Sequence, residues 1–381
     1  MTKPSTTYQS LHICLVAILL GILLINIYFT VSIKQQLFEP ETKETEQPTP
    51  EPPKLELFVI SAINCDKCMN TSKIVEALKS QASFESTQEI SATSDEGKQL
   101  ITQYNITRLP TFIIRGDISS TPLAQLPGLV QQDSAYVFTQ TLPPYQTIDG
   151  TIRGDVRATI ILADNCDICT DPEYLLDQLT QLGILINVTK TLDAKSNDAK
   201  KLIKQYNISR LPAIIFTPDL LEYDLVKQVW SQVGTIEQDG MLALRLVVPP
   251  YTELPGKKIR GIVDLTMHTD KSCTECFNIS AYQQVLAEKF KIYFATIKTY
   301  DISSEQGKKL VQKYNIAKVP TLILQGDVGA YETIKPFWEQ IGSIESDGTV
   351  IFRKLELFKA THKDLTTGEV FTSGQQEDTL N

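Results

Sequence analysis

The chain has 381 residues, 42% hydrophobic and 21% charged, with 45 acidic side chains against 36 Lys or Arg. This composition excludes a disordered chain, and the length predicts two to three domains. A net charge of -9 excludes a nucleic-acid partner, because binding a phosphate backbone needs clustered cations, and three histidines (His12, His268, His362) argue against multi-histidine metal chemistry.

The first predicted element is a membrane span. Leu11 to Ile33 contains no Asp, Glu, Lys or Arg, and 23 residues at ~1.5 Å rise cover about 34 Å, enough for a bilayer core. The run ends without an Ala-x-Ala cleavage pattern, so it reads as an uncleaved signal anchor rather than a cleaved signal peptide. Residues 1–10 carry Lys3 and are expected on the cytoplasmic side, with the bulk of the chain outside. Residues 34–53 are rich in Glu, Thr and Pro and read as a tether.

The remainder is one unit written three times. Lys98 to Pro110, Lys200 to Pro212 and Lys308 to Pro320 share six of thirteen positions in all three copies. A Cys-x-x-Cys precedes each block: Cys65/Cys68, Cys166/Cys169 and Cys273/Cys276, with the first cysteine 45, 46 and 47 positions before its proline. A period of about 100 residues is a domain, not a solenoid repeat. Pro143-Pro144-Tyr145 and Pro249-Pro250-Tyr251 mark the joints. The expected domains are 54–148, 149–254 and 255–362, followed by a disordered polar tail over 363–381.

Within each unit an apolar strand (Leu55 to Ala62, Arg157 to Ala163, Gly261 to Met267) leads into the cysteines. Apolar residues then recur at helical spacing, as in Leu175, Leu176, Leu179 and Leu182. Pro172 requires the second unit's helix to kink or to start late. A second helix carries the Lys-x-Leu block, and a β-rich run follows each proline (Thr111 to Ile114, Ala213 to Phe216, Thr321 to Leu324). This is an α/β pattern.

Strand, Cys-x-x-Cys at a helix start, and a later Leu109-Pro110-Thr111 or Val319-Pro320-Thr321 resemble the thioredoxin superfamily; Leu211-Pro212-Ala213 departs slightly. Tandem copies on one chain are similar to protein disulfide isomerases and protein disulfide oxidoreductases. The resemblance implies an α/β fold of three tandem thioredoxin-like domains, each a central mixed sheet flanked by helices, after the transmembrane helix. It implies that Pro110, Pro212 and Pro320 are cis and offer a pairing edge to an extended substrate. The chain departs from the family in three places. Asn64, Asn165 and Ser272 replace the aromatic before the first cysteine. The intervening pairs are Asp66-Lys67, Asp167-Ile168 and Thr274-Glu275. Val59, Ile160 and Met267 stand near the family's buried acid.

A helix N-terminus stabilises a thiolate through its unpaired N–H groups, so Cys65, Cys166 and Cys273 are the expected nucleophiles and Cys68, Cys169 and Cys276 the resolving thiols. Lys67 should offset Asp66 and make the first unit the most oxidising. The seventh cysteine, Cys14, lies in the apolar run and leaves no stray thiol among the repeats. The pairs also fit static disulfides or half of a zinc site, although zinc needs four ligands. The expected function is a membrane-anchored, extracytoplasmic thiol–disulfide oxidoreductase or isomerase without cofactor or metal. Its partners would be exported proteins, an unidentified redox partner and the membrane. The alternative is a non-enzymatic adaptor or chaperone with structural disulfides. Several residues have simpler readings: His268 solvated or hydrogen-bonded, Tyr104, Tyr206 and Tyr314 in the core, Lys98, Lys200 and Lys308 on a solvated face. Asn105 and Asn207 read as helix-closing asparagines, and Trp230 and Trp338 as packing near tight Asp-Gly turns.

Overall fold

The computed structural model describes residues 54–372, apart from 333 and 359. The chain divides into Met1–Pro52 and Pro53–Asn381. The expected span over 11–33 and the tether therefore lie outside the described residues. Among the described residues no helix is long and apolar enough to cross a membrane.

The first repeat sets the plan. Strand β1 (Glu56–Ser61) leads through the Cys65–Cys68 loop to helix α1 (Thr71–Lys79) and strand β2 (Ser86–Ser91). Helix α2 (Asp95–Gln103) leads to the short β3 (Arg108–Leu109), then Pro110 and β4 (Thr111–Arg115). A hairpin of β5 (Leu129–Gln132) and β6 (Ala135–Phe138) ends the main sheet, whose order is β2-β1-β4-β6-β5. Strands β1 and β2 run parallel, and the other neighbours are antiparallel. Strand, cysteine pair, helix, parallel strand, helix, cis-proline and antiparallel strand is a thioredoxin-like arrangement. It recurs with orders built on Val156–Leu162 and on Val263–Thr269.

Each central strand is apolar on both faces because helices cover both sides of the sheet. Alternation divides its residues. Leu57 and Val59 pack with Ile74 and Leu78 of α1, whereas Phe58 and Ile60 pack with Leu100 and Tyr104 of α2. The second helix of every repeat starts on a serine whose hydroxyl accepts an N–H three residues on: Ser94 from Gly97, Ser196 from Ala199, Ser304 from Gly307. It closes on Asn105, Asn207 or Asn315, each left-handed with φ of 47–48°. Tyr104, Tyr206 and Tyr314 are buried, and Lys98, Lys200 and Lys308 are exposed.

Two features differ among the repeats. The second and third add a helix, Asp224–Val233 and Lys335–Ile341, that buries Trp230 and Trp338 against the sheet. The first has only the 3-10 turn Pro122–Gln125 there. In addition, the expected disordered tail is corrected over its first part. His362–Asp364 and Val370–Phe371 are strands, and residues 373–381 lie outside the described ones.

After each main sheet the chain turns back as a short hairpin. Strands β7 (Tyr145–Thr147) and β8 (Ile152–Arg153) join β3 in a small sheet of order β3-β7-β8. Tyr251–Glu253 with Lys258–Arg260, and His362–Asp364 with Val370–Phe371, do the same for the other repeats. We refer to the first strand of each hairpin as the strap.

Candidate functional site

All three cysteine pairs are closed as disulfides, Cys65–Cys68, Cys166–Cys169 and Cys273–Cys276, with Cα atoms 5.3–5.4 Å apart. All six cysteines are half-buried. The prolyl bonds Leu109–Pro110, Leu211–Pro212 and Val319–Pro320 are cis. The second sulfur faces the residue before the proline: Cys169 Sγ lies 4.0 Å from the Leu211 carbonyl oxygen and Cys276 Sγ 4.0 Å from that of Val319. Residues 42 and 43 positions apart in sequence are thus brought together by the sheet, since the cysteine loop and the proline loop leave from the same end of two adjacent strands.

The cysteines do not sit on the helix N-terminus, which corrects the expectation from sequence. Cys68 N–H donates to the Cys65 carbonyl at 3.2 Å, and Cys169 does the same to Cys166, so these two pairs close their own turns, while Cys273 N–H donates to the Asp270 carbonyl at 3.0 Å. The helices begin later, at Thr71, Pro172 and Ser280. The physical reason lies in the intervening side chains. Asn70 Oδ1 accepts the Lys73 N–H and Asp171 Oδ1 accepts the Glu173 N–H, so these caps take the place proposed for a thiolate. Pro172 occupies the first turn of its helix, where its missing N–H costs nothing, so the helix starts late and is not kinked.

Nor is the edge beside each proline open to a substrate strand. The strap fills it: Leu109 pairs with Gln146, Leu211 with Thr252 and Val319 with Lys363. The strap also reaches the cysteine loop. Thr170, next to Cys169, donates its N–H to the Pro250 carbonyl at 2.8 Å, and Phe277, next to Cys276, donates to Thr361 at 2.9 Å. In the first repeat the Gln146 side chain bonds Ile63, two residues before Cys65. Thr252 Oγ1 lies 3.6 Å from Cys169 Sγ. These strap residues were not singled out from sequence. Their only signal is position, directly after Pro-Pro-Tyr in two repeats.

Charges around the loops are largely committed elsewhere. Lys67 Nζ lies 2.7 Å from Asp155 Oδ2, at the entrance to the second repeat. In the third repeat Lys363 Nζ reaches Asp270 Oδ2 at 2.7 Å and Ser272 Oγ at 3.1 Å, immediately before Cys273. Burial pushes the Asp270 carboxyl up, but the bonds from Lys363 and Ser272 outweigh it and hold it below its usual value. Tyr145 is pushed up to about 12 by burial and by its hydrogen bond to Glu222. Arg108 and Arg210 stack over the strap tyrosines Tyr145 and Tyr251, at 4.3 and 4.8 Å.

His268 is neither solvated nor hydrogen-bonded, contrary to expectation. It is 0% exposed, and neither ring nitrogen meets a partner. Burial lowers its pKa, with Asp301 acting weakly in the opposite sense. It stands five residues before Cys273, where the sister repeats place buried Ile60 and Ile161. Val59, Ile160 and Met267 are buried and apolar. Among the described residues no three His, Cys, Asp or Glu side chains converge on one point.

No family model matches the chain, and no curated protein matches it. Solved structures similar to parts of it include ERdj5 crystal form II, at 14% identity and TM-score 0.17 over 78% of this chain and 43% of that one. Human ERp44 matches at 12% identity and TM-score 0.13, over 74% of this chain and 85% of that one. An alkylhydroperoxide reductase component from Enterococcus faecalis matches at 16% identity and TM-score 0.16, over 48% of this chain and 90% of that one. The chain spans less than half the length of the ERdj5 structures. The fold assignment rests on the strand order and the cysteine–proline geometry described above.

Proposed function

We propose that this chain exchanges disulfides with thiols of partner proteins through Cys65/Cys68, Cys166/Cys169 and Cys273/Cys276. The observation that carries this reading is the threefold recurrence of a half-buried disulfide beside a cis-prolyl loop. Contacts to the proline loop fall on Cys169 and Cys276, which leaves Cys166 and Cys273, and by homology of position Cys65, as the partner-facing sulfurs. A partner thiolate attacks that sulfur, the Cys–Cys bond breaks, and the second cysteine leaves as thiolate. A second partner thiolate then attacks the partner's own sulfur in the mixed disulfide. The partner ends oxidised and the Cys-x-x-Cys reduced, and the reverse sequence reduces a partner. Pro110, Pro212 and Pro320 shape the wall behind the second sulfur.

The apolar run over 11–33 and the Glu/Pro tether support a membrane anchor with the repeats on the extracytoplasmic side, where disulfides persist. Exported proteins are then the partner class. One observation favours a second reading, in which the disulfides are structural and the chain is an adaptor: the straps already fill the edge beside each proline.

Trapping separates the two. Cys68→Ser, Cys169→Ser and Cys276→Ser, each in the full chain, leave one sulfur that as thiolate can open a partner's disulfide but has no neighbour to resolve the mixed disulfide, so covalent complexes with disulfide-bearing partners should accumulate. No complex from any of the three would leave the adaptor.

A further inference from the structure

The second repeat carries a cavity of about 590 Å³ that opens beside its disulfide. Thr170, which follows Cys169, and the cis residue Pro212 both line it, so it is continuous with the redox loop. Its floor is Phe216, Trp230 and Leu244, and the third repeat closes one side with Ala287 to Tyr293. The rim is open and mostly apolar, with Lys291 Nζ 4.4 Å above the Tyr174 ring and Asp171 beside it. Tyr174, Val229, Leu246 and Val248 are 40–46% exposed, and a contiguous patch of this kind marks a contact site.

The cavity exists because ring-bearing residues of the sister repeats are replaced here. Leu244 follows the sheet pair Ile215–Ala243; Phe138 and Phe352 stand at the same register, after Ile113–Val137 and Ile323–Ile351. Leu175 lies nine residues after its first cysteine, where the third repeat has Tyr282, and Thr170 matches Phe277. In the third repeat those rings fill the space themselves. Phe277 and Tyr282 meet at 5.3 Å between centroids, Tyr282 and Phe352 at 5.7 Å, and Trp338 and Phe352 at 6.4 Å. In the first, Phe138 stacks on Phe112 at 4.8 Å.

We propose that this cavity receives an aromatic side chain from an extended polypeptide partner and so selects what reaches Cys166–Cys169. The space lies where its sister repeat places an aromatic cluster of its own, and its walls are apolar. The strap closes the backbone edge, so side-chain capture beside the sulfurs takes over the recognition that strand pairing cannot give. The selection step rests on the exchange reading; the binding step does not.

The test uses the oxidised full chain and a short cysteine-free Ser/Ala peptide carrying one phenylalanine, with a matched peptide carrying alanine instead. The phenylalanine peptide should bind more tightly. Leu244→Phe, which restores the sister residue, and Tyr174→Ser, at the exposed rim, should each weaken it by about tenfold or more, with unchanged melting verifying the fold. Equal binding of the two peptides would overturn the proposal. So would folded variants that bind like the parent, or binding of free benzyl alcohol without binding of the peptide. Because no thiol takes part, loss of exchange activity with retained peptide binding would overturn only the exchange reading.

Discussion

Gln146 holds Ile63 by both of its backbone polar groups: its Oε1 accepts the Ile63 N–H at 2.8 Å and its Nε2 donates to the Ile63 carbonyl at 2.9 Å. The side chain is buried, yet it belongs to the strap, not to the cysteine loop. Replacing it with alanine removes both bonds, and a third from Nε2 to the Gly150 carbonyl at 3.2 Å, and should cost about 1–3 kcal/mol. The loop before Cys65 is then held less tightly, and dithiothreitol should reduce Cys65–Cys68 faster than in the parent, with the other two disulfides unchanged. Peptide mapping of alkylated cysteines during reduction reads this directly; release of Cys65 and Cys68 at the parent's rate would remove the strap from control of the loop.

The helix caps at Asn70 and Asp171 bear on thiol reactivity. With the helix N–H groups turned to those side chains, the reduced cysteines lack the strongest stabiliser of a thiolate. Alkylation of the reduced chain by iodoacetamide should therefore keep accelerating as pH rises toward about 8.5, as for an ordinary thiol. A rate already level at neutral pH would contradict the geometry.

His268 predicts an acid-sensitive third repeat. Its pKa is lowered in the folded state by burial, so the unfolded chain binds the proton first. Stability is intact above the ordinary histidine value of about 6.5 and falls as pH drops below it. His268→Ile, the residue of the sister repeats, removes both the titration and two orphaned ring nitrogens. It should raise stability by about 1–3 kcal/mol at neutral pH, more in acid. Urea melts at pH 7 and pH 5 compare the two chains; an unchanged difference between the pH values would refute the assignment.

Asp327 predicts a second, lower window. Arg260 bonds its carboxylate through Nε and Nη2, Gly261 donates its N–H to the same group, and Arg260 also grips both oxygens of Glu253. The Arg260 bond outweighs burial and holds the Asp327 carboxyl below its usual value. Its contribution is thus complete above about pH 4 and lost as pH falls through the folded value. Asp327→Asn should destabilise by roughly 1–3 kcal/mol at pH 7 and by much less near pH 2, as urea melts at the two pH values would read.

Much of this was legible in the sequence because it is long and periodic. The two faces of Leu57–Ile60, the Lys-x-Leu helices and the left-handed Asn105, Asn207 and Asn315 all follow from patterns repeated three times. The straps were not legible, because strands of two or three residues carry no alternation to read, and their partners lie 37 or more positions away. The late helix starts had a signal in Asn70, Asp171 and Pro172, each a preferred residue at a helix entry. His268 and Leu244 become informative only when set against Ile60 and Ile161, or Phe138 and Phe352. Their environments, not their identities, differ from what a single residue suggests.

Arg260 sits on the hairpin whose first strand packs beside Pro212, while its guanidinium is anchored to Asp327 of the following repeat. The paired prolines at 143–144 and 249–250 are therefore poor places to divide this polypeptide. Severing there would strip each module of the strand that lines its own sulfur loop and leave that strand on its neighbour. Seams after the hairpins, near Asp155 and Ile262, would leave each strap with the sulfur loop it lines, at the loss of the Arg260–Asp327 pair.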